Sequence, residues 1–70
     1  MSNNTSNEKQ GSIRARSEAI ILKAAQKEFI LQGYKGATVQ SIADNAGLPK
    51  ANVLYYFKNK ENIYHAVLQL

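Results

Sequence analysis

The amino-acid sequence predicts an all-α fold with three helices and the start of a fourth. Apolar residues recur at helical spacing in four separate segments, and glycine, proline or a capping residue lies at the boundaries between them. No segment of the sequence shows the strict apolar–polar alternation that predicts a half-buried strand. We therefore expect a small core formed by helices that pack on one another.

The composition indicates one small basic domain. The chain has 70 residues and no cysteine, so neither a disulfide nor a cysteine-bound metal can stabilise it. Nine Lys and Arg against five Asp and Glu give a net charge of +4. This charge favours a polyanionic partner, although it is also compatible with a basic surface that only keeps the protein soluble. No apolar run in the sequence is long enough to span a membrane, and the polar N-terminus does not look like a secretory signal. We therefore expect a cytoplasmic protein without membrane contact.

Catalysis is disfavoured by the residues that the sequence lacks. His65 is the single histidine, the five acids are scattered, and the four glycines form no phosphate-binding loop. We expect no catalytic residue, no cofactor and no metal site. A small helical enzyme is therefore the least favoured class of function.

Residues 1–11 are polar and lack periodicity, which predicts a flexible N-terminal arm ahead of a helical domain over residues 12–70. The arm either has no function or reaches DNA through Lys9. The first helix then runs to about Gln32, with Ile21, Ala25 and Phe29 on one face. Gly33 ends it, and Tyr34 follows where its ring can fold back on Phe29.

The second helix begins after Thr38, whose hydroxyl can accept a hydrogen bond from a first-turn N–H. Ser41 stands where a capping box prefers Glu or Gln, so we expect an imperfect box. Gly47 ends this helix after about two turns. Its apolar face comprises Val39, Ile42, Ala43 and Ala46.

The third helix must begin close to Pro49, which suits a first turn, and it extends to about Phe57. Asn59 is the next plausible N-cap, and Glu61 in the following turn favours the helix dipole. The apolar stripe of this fourth helix comprises Ile63, Ala66, Val67 and Leu70.

The second and third helices meet the demands of a helix-turn-helix. Ala43 is small enough for a close crossing, and Gly47 tolerates the positive φ of a tight turn. Leu48, Val53 and Phe57 are spaced to hold the third helix on the core. The same spacing also fits an ordinary corner between two packed helices. The expected core is Ile21, Ala25, Phe29, Ile42, Ala43, Val53 and Phe57.

The outer face of the third helix favours the helix-turn-helix. With Val53 inward, Ala51, Asn52 and Tyr55 point outward. Asparagine can bond an adenine edge, the alanine methyl can meet a thymine methyl, and tyrosine can bond a phosphate. An exposed tyrosine beside an amide is an unusual choice for a face that meets only water.

Two lysines support a nucleic-acid partner independently. Lys50 and Lys60 fall in the first turns of predicted helices, where a positive charge opposes the helix dipole and folding has no evident need for it. A bound phosphate would make this arrangement favourable, because the helix N–H groups and the lysine would both attract the anion. Lys58 adds charge to a stretch with no acid between Asp44 and Glu61. Alternatively, all three lysines are solvated and incidental.

The sequence resembles the N-terminal DNA-binding domain of the TetR family over about residues 14 to 69. The motifs that carry the resemblance are Ile21-Leu22, Ala24-Ala25, Phe29, Gly33-Tyr34, Thr38, Ile42-Ala43, Ala46-Gly47-Leu48 and the run from Lys50 to Glu61. Pro49, Ala51 and Leu54 depart from the serine, glycine and tyrosine that are common at these positions. The loss of the serine puts one phosphate contact in doubt.

The resemblance implies a homeodomain-like helix-turn-helix that binds double-stranded DNA, with residues of the third helix at the groove or its phosphates. These are Lys50, Ala51, Asn52, Tyr55 and Tyr56, while Thr38 and Lys60 would hold the DNA backbone. It further implies a bacterial transcriptional regulator that, at full length, is a ligand-responsive repressor. Such a protein binds a palindromic operator as a homodimer and takes a small-molecule inducer through a C-terminal domain absent from this chain.

A protein-interaction module is the alternative class of function. A helical protein-interaction module would use the exposed tyrosines as anchors on another protein. Its binding would depend little on salt, whereas DNA binding falls steeply as salt rises.

Overall fold

The computed structural model describes residues 5–70, with side chains described from residue 13 onward. Within this range the chain forms four helices, α1 (Thr5–Gly36), α2 (Val39–Ala46), α3 (Lys50–Phe57) and α4 (Lys60–Leu68). Residues 5–70 otherwise contain only turns and short connections, with no strand. The predicted all-α class is confirmed.

Helix α1 begins earlier than the apolar pattern does. Residues 5–11, predicted to belong to a flexible arm, continue α1 in the structure. They contain no proline, and lengthening an existing helix adds backbone hydrogen bonds without a second nucleation step. The boundary predicted at residue 12 therefore marks the start of apolar periodicity rather than the start of the helix. Residues 1–4 of the predicted arm lie outside the described residues.

Gly33 interrupts α1 as predicted, although one further turn follows it. Its backbone has φ 74° and ψ 168°, a combination that is essentially confined to glycine. The Ala37 N–H then donates to the Gly33 carbonyl at 3.0 Å. Tyr34 stacks on Phe29 with ring centroids 5.8 Å apart, which confirms the predicted fold-back. Tyr64 of α4 packs edge-on against both rings, at 5.2 and 4.9 Å.

Both ends of α2 are capped by local contacts. Thr38 Oγ1 accepts from the Ser41 N–H, and Ser41 Oγ accepts from the Thr38 N–H, each at 2.9 Å. The box predicted to be imperfect is therefore complete, because a serine hydroxyl is long enough to reach the cap N–H. At the other end Gly47 adopts the left-handed conformation with φ 72°, and the Leu48 N–H donates to the Ala43 carbonyl at 3.0 Å.

The core lies where all four helices meet. Its buried side chains are Ile21, Ala24 and Ala25 of α1, Ile42 and Ala43 of α2, Val53 of α3 and Ile63 of α4. Phe29 and Phe57 were predicted to be core residues, but they are only partly buried and pack against this cluster. The fully enclosed positions are held by alanine, valine and isoleucine, and the two larger rings lie at the edge of the core.

Candidate nucleic-acid interface

The turn between α2 and α3 sets the direction of α3. Ala43 is completely buried, and the left-handed Gly47 reverses the chain directly after α2. Pro49 precedes the first residue of α3 with an extended backbone and cannot donate a hydrogen bond there. Val53 is completely buried and fixes the inner side of α3. These are the contacts that the sequence predicted for a helix-turn-helix.

The outer side of α3 is open to solvent. Lys50, Ala51, Asn52 and Tyr55 are exposed, and Tyr55 has 72% of its surface accessible. Tyr56 is half-buried, and its ring packs edge-on against Tyr55 with centroids 5.1 Å apart. The predicted outward orientation of α3 is therefore observed, and the contact of these residues with DNA remains a prediction.

An open groove lies beside α3, between the start of α2 and the α3–α4 turn. We call it the lysine groove, and the residues that line it are Ala37, Thr38, Val39, Gln40, Lys50, Leu54, Lys58, Asn59 and Lys60. It brings together Thr38, Lys50 and Lys60, which belong to three different elements. Its described lining contains three lysines and no acid, and α2, α3 and α4 all begin at it. Helix N-termini and lysines both favour an anion.

Lys60 has a role in the fold that the sequence did not reveal. Its ammonium donates to the carbonyls of Tyr34 at 2.7 Å and Ala37 at 3.0 Å. It also lies 4.3 Å from the centre of the Tyr34 ring, within the range of a cation–π contact. The expectation that folding has no need of a cation here is wrong for Lys60, because its charge satisfies one carbonyl in the last turn of α1 and one just beyond it.

Lys58 lies in an unusual turn between α3 and α4. Its φ of 67° is positive, with ψ −46°, and the Asn59 N–H donates to the Phe57 carbonyl at 2.7 Å. This is a γ-turn with positive φ, which is a rare and strained conformation. Asn59 then caps α4 as predicted, since its Oδ1 accepts from the Asn62 N–H at 2.8 Å. The turn brings Lys58 to the same groove as Lys60.

One charged residue near the outer face of α3 was not predicted from the sequence. The Arg14 guanidinium of α1 lies 5.4 Å from the centre of the Tyr56 ring. The two residues are far apart along the chain, so no local spacing pattern connects them. Only their tertiary contact shows that a side chain of α1 reaches Tyr56, at the edge of the outer face of α3.

His65 is exposed in the last turn of α4. Among residues 13–70, whose side chains the structure describes, there is no cluster of three or more residues that could hold a metal ion. None of the helices in the described part of the chain is long and apolar enough to cross a membrane. An exposed face with lysines, an amide and tyrosines is suited to phosphates and base edges.

Comparison with known proteins agrees with this geometry. The family model for bacterial regulatory proteins of the tetR family matches residues 21–67, which is more than half of the chain. The HTH-type transcriptional regulator RutR of Escherichia coli (strain K12) is 40% identical over 65 residues, covering 93% of this chain and 30% of RutR. The HTH-type transcriptional activator FasR of Mycolicibacterium smegmatis is 41% identical over 49 residues, covering 70% of this chain and 22% of FasR.

A solved structure shows the same fold. The hemolysin II transcriptional regulator HlyIIR superposes with a TM-score of 0.77 at 43% identity, over 80% of this chain and 31% of HlyIIR. The chain thus spans less than a third of the length of each of these relatives. All three are named as regulators or activators of transcription. The chain therefore belongs to the tetR family of bacterial regulatory proteins, which are DNA-binding regulators of transcription.

Proposed function

We propose that this chain binds double-stranded DNA sequence-specifically by placing α3 in the major groove. The observation that carries the proposal is the division of α3 into two sides. Val53 is completely buried, whereas Ala51, Asn52 and Tyr55 are exposed. An α-helix fits the major groove, where each base pair presents a distinct pattern of donors and acceptors.

Three residues of α3 have side chains suited to the groove itself. The Asn52 amide can pair with the N6 and N7 atoms of adenine, which gives the largest sequence discrimination in this set. Ala51 permits close approach, and its methyl group can contact a thymine methyl. Tyr55 can bond a phosphate with its hydroxyl while its ring packs along the backbone.

The lysine groove is the proposed binding site of the DNA backbone. Lys50 is exposed at the start of α3 and lines this groove, whereas Tyr56 packs against Tyr55 outside it and would contact a phosphate there. The Thr38 hydroxyl accepts one hydrogen bond within the cap and still has its own hydrogen to donate. An ammonium has three N–H donors, so Lys60 can keep both carbonyls and direct the third to a phosphate.

For the longer protein we propose the arrangement that the family resemblance implies. It would be a cytoplasmic, ligand-responsive repressor that acts as a homodimer on a palindromic operator. A small-molecule inducer would bind outside the residues present here, and this chain would contribute no catalytic group. A single DNA-binding module buries only about 600–1,000 Å² on DNA, which explains why two copies would be needed for tight binding.

Fluorescence anisotropy with this chain tests the proposal. A duplex selected from a random pool and a scrambled duplex of equal composition are each titrated at about 50 and about 200 mM salt. We expect tighter binding to the selected duplex and a steep loss of affinity at the higher salt. The titration is repeated with the chain fused to a coiled coil that dimerises it. Failure of both forms to distinguish the duplexes would refute the proposal and favour a protein-interaction module.

A further inference from the structure

Arg14 of α1 lies next to the proposed DNA-binding face although it is not part of the helix-turn-helix. We infer that Arg14 is a further contact to the DNA backbone, which extends the interface from α3 onto α1. This inference rests on the proposed function of α3. It adds a side chain from a separate element of the fold to the residues predicted from the sequence.

The position of Arg14 follows from a chain of aromatic contacts. Its guanidinium lies 5.4 Å from the centre of the Tyr56 ring. Tyr56 in turn packs edge-on against Tyr55, with ring centroids 5.1 Å apart, and Tyr55 is 72% exposed. One aromatic ring therefore separates the Arg14 cation from the most exposed tyrosine of α3. A DNA strand that contacts Tyr55 would run past this flank.

The guanidinium is oriented and still available to a ligand. The Arg14 side chain is 57% exposed, and its Nε–H donates to Glu18 Oε2 at 3.2 Å. No hydrogen bond to the described residues occupies its two terminal NH₂ groups. A guanidinium presents such donors in a planar fork that matches the oxygens of a phosphate. Glu18 and Tyr56 hold the side chain in place, which lowers the entropic cost of binding.

Arg16 provides a matched control from the same helix. It is also exposed and carries the same charge, but it lies two positions further along α1. Residues two positions apart differ by about 200° around a helix, so Arg16 points away from the side that meets Tyr56. Removing either arginine changes the net charge equally. Only the Arg14 substitution removes a cation from the flank of α3.

The test compares Arg14→Ala with Arg16→Ala by anisotropy over a range of salt concentrations. We expect Arg14→Ala to weaken binding to the selected and scrambled duplexes alike, by about five- to tenfold, because a phosphate contact carries no sequence information. The slope of log affinity against log salt should become shallower by about 0.9, which corresponds to one lost phosphate contact. Arg16→Ala should change this slope much less.

Two further variants separate a DNA contact from a structural role. Arg14→Lys keeps the charge, so it should keep most of the salt slope. Glu18→Gln keeps an oxygen that can accept from the Arg14 Nε–H but removes the negative charge that competes with phosphate for the guanidinium, so it should tighten binding about twofold, and most of this gain should vanish in the Arg14→Ala background. A loss of affinity with an unchanged salt slope would show that Arg14 only positions Tyr56 and would overturn the inference. Equal slopes for the two alanine variants would also overturn it.

Failure of the proposed function would look different. In that case neither the unaltered chain nor its dimerised form would distinguish the selected duplex from the scrambled one, and the inference would fall with the proposed function. Normal binding by the unaltered chain, together with identical behaviour of Arg14→Ala and Arg16→Ala, would overturn the Arg14 contact alone.

Discussion

The two turns that flank α3 both require a positive φ, but they meet this requirement with different residues. The α2–α3 turn uses Gly47, with φ 72° and ψ 29°, in the ordinary left-handed region. The α3–α4 turn uses Lys58, with φ 67° and ψ −46°, in a γ-turn. Glycine adopts positive φ without a steric penalty, whereas a lysine there is strained.

The difference indicates what each turn contributes. A Cβ at Gly47 would meet no atom within 4 Å, so this position is selected for backbone conformation and not for lack of space. Lys58 keeps a charged side chain at the lysine groove even though glycine would relieve its backbone. Strained residues tend to be found where a side chain serves a function. The α2–α3 turn therefore sets the direction of α3, and the α3–α4 turn places a cation beside it.

The largest expected effect concerns the helix that both turns hold in place. If the turns only position α3, sequence discrimination should come from its exposed amide. We expect Asn52→Ala to weaken binding to the selected duplex by about 1–3 kcal/mol and to relax specificity at one base pair. Anisotropy with single-base variants of the duplex measures both effects. Equal losses on selected and scrambled DNA would contradict base reading by Asn52.

Gly47→Ala should destabilise the α2–α3 turn. Because nothing surrounds the added Cβ, the cost is that of the left-handed backbone, about 1–2 kcal/mol in the free energy of unfolding. Urea denaturation followed by circular dichroism measures this loss. Gly47→Asn is the control, since asparagine tolerates the left-handed region and should recover part of the stability. An unchanged midpoint for Gly47→Ala would show that the turn adopts another conformation.

Lys60→Met should reveal the double role of the lysine that follows the second turn. It removes two hydrogen bonds from an ammonium that is partly exposed, so we expect a loss of about 1 kcal/mol in stability. It should also weaken binding to all duplexes by the same factor. Lys50→Met is the matched control, because Lys50 is exposed and should affect DNA binding alone. Equal stability losses in the two variants would contradict the role of the carbonyl contacts.

The smallest effect has the opposite sign. Lys58→Gly relieves the backbone strain of the turn, but glycine also raises the conformational entropy of the unfolded chain. We therefore expect a net gain of about 0.5 kcal/mol in the free energy of unfolding. The same variant should weaken DNA binding and make its salt dependence shallower. Thermal unfolding and anisotropy on one preparation measure both quantities. A loss of stability would show that Lys58 is not strained and would remove the contrast with Gly47.

Much of the fold and part of the site could be predicted from local sequence signals. Gly33 and Gly47 are the two glycines with positive φ. Thr38 is the N-cap of α2, and Asn59 is the N-cap of α4. The periodicity of α3 predicted which side faces the core, because Val53 is buried and Asn52 is exposed. Each of these signals acts within one or two helical turns, where backbone geometry determines which residues are neighbours.

The remaining features required the tertiary structure, because they join residues that are distant in the sequence. The sequence by itself determined that Lys60 opens α4, and only packing placed its ammonium on carbonyls that lie 26 and 23 residues earlier. Likewise, an arginine at position 14 has no local partner that would reveal its contact with Tyr56. Helix periodicity shows which way a residue faces but not which helix it meets. That is decided by the angles at which the buried side chains of the four helices pack together.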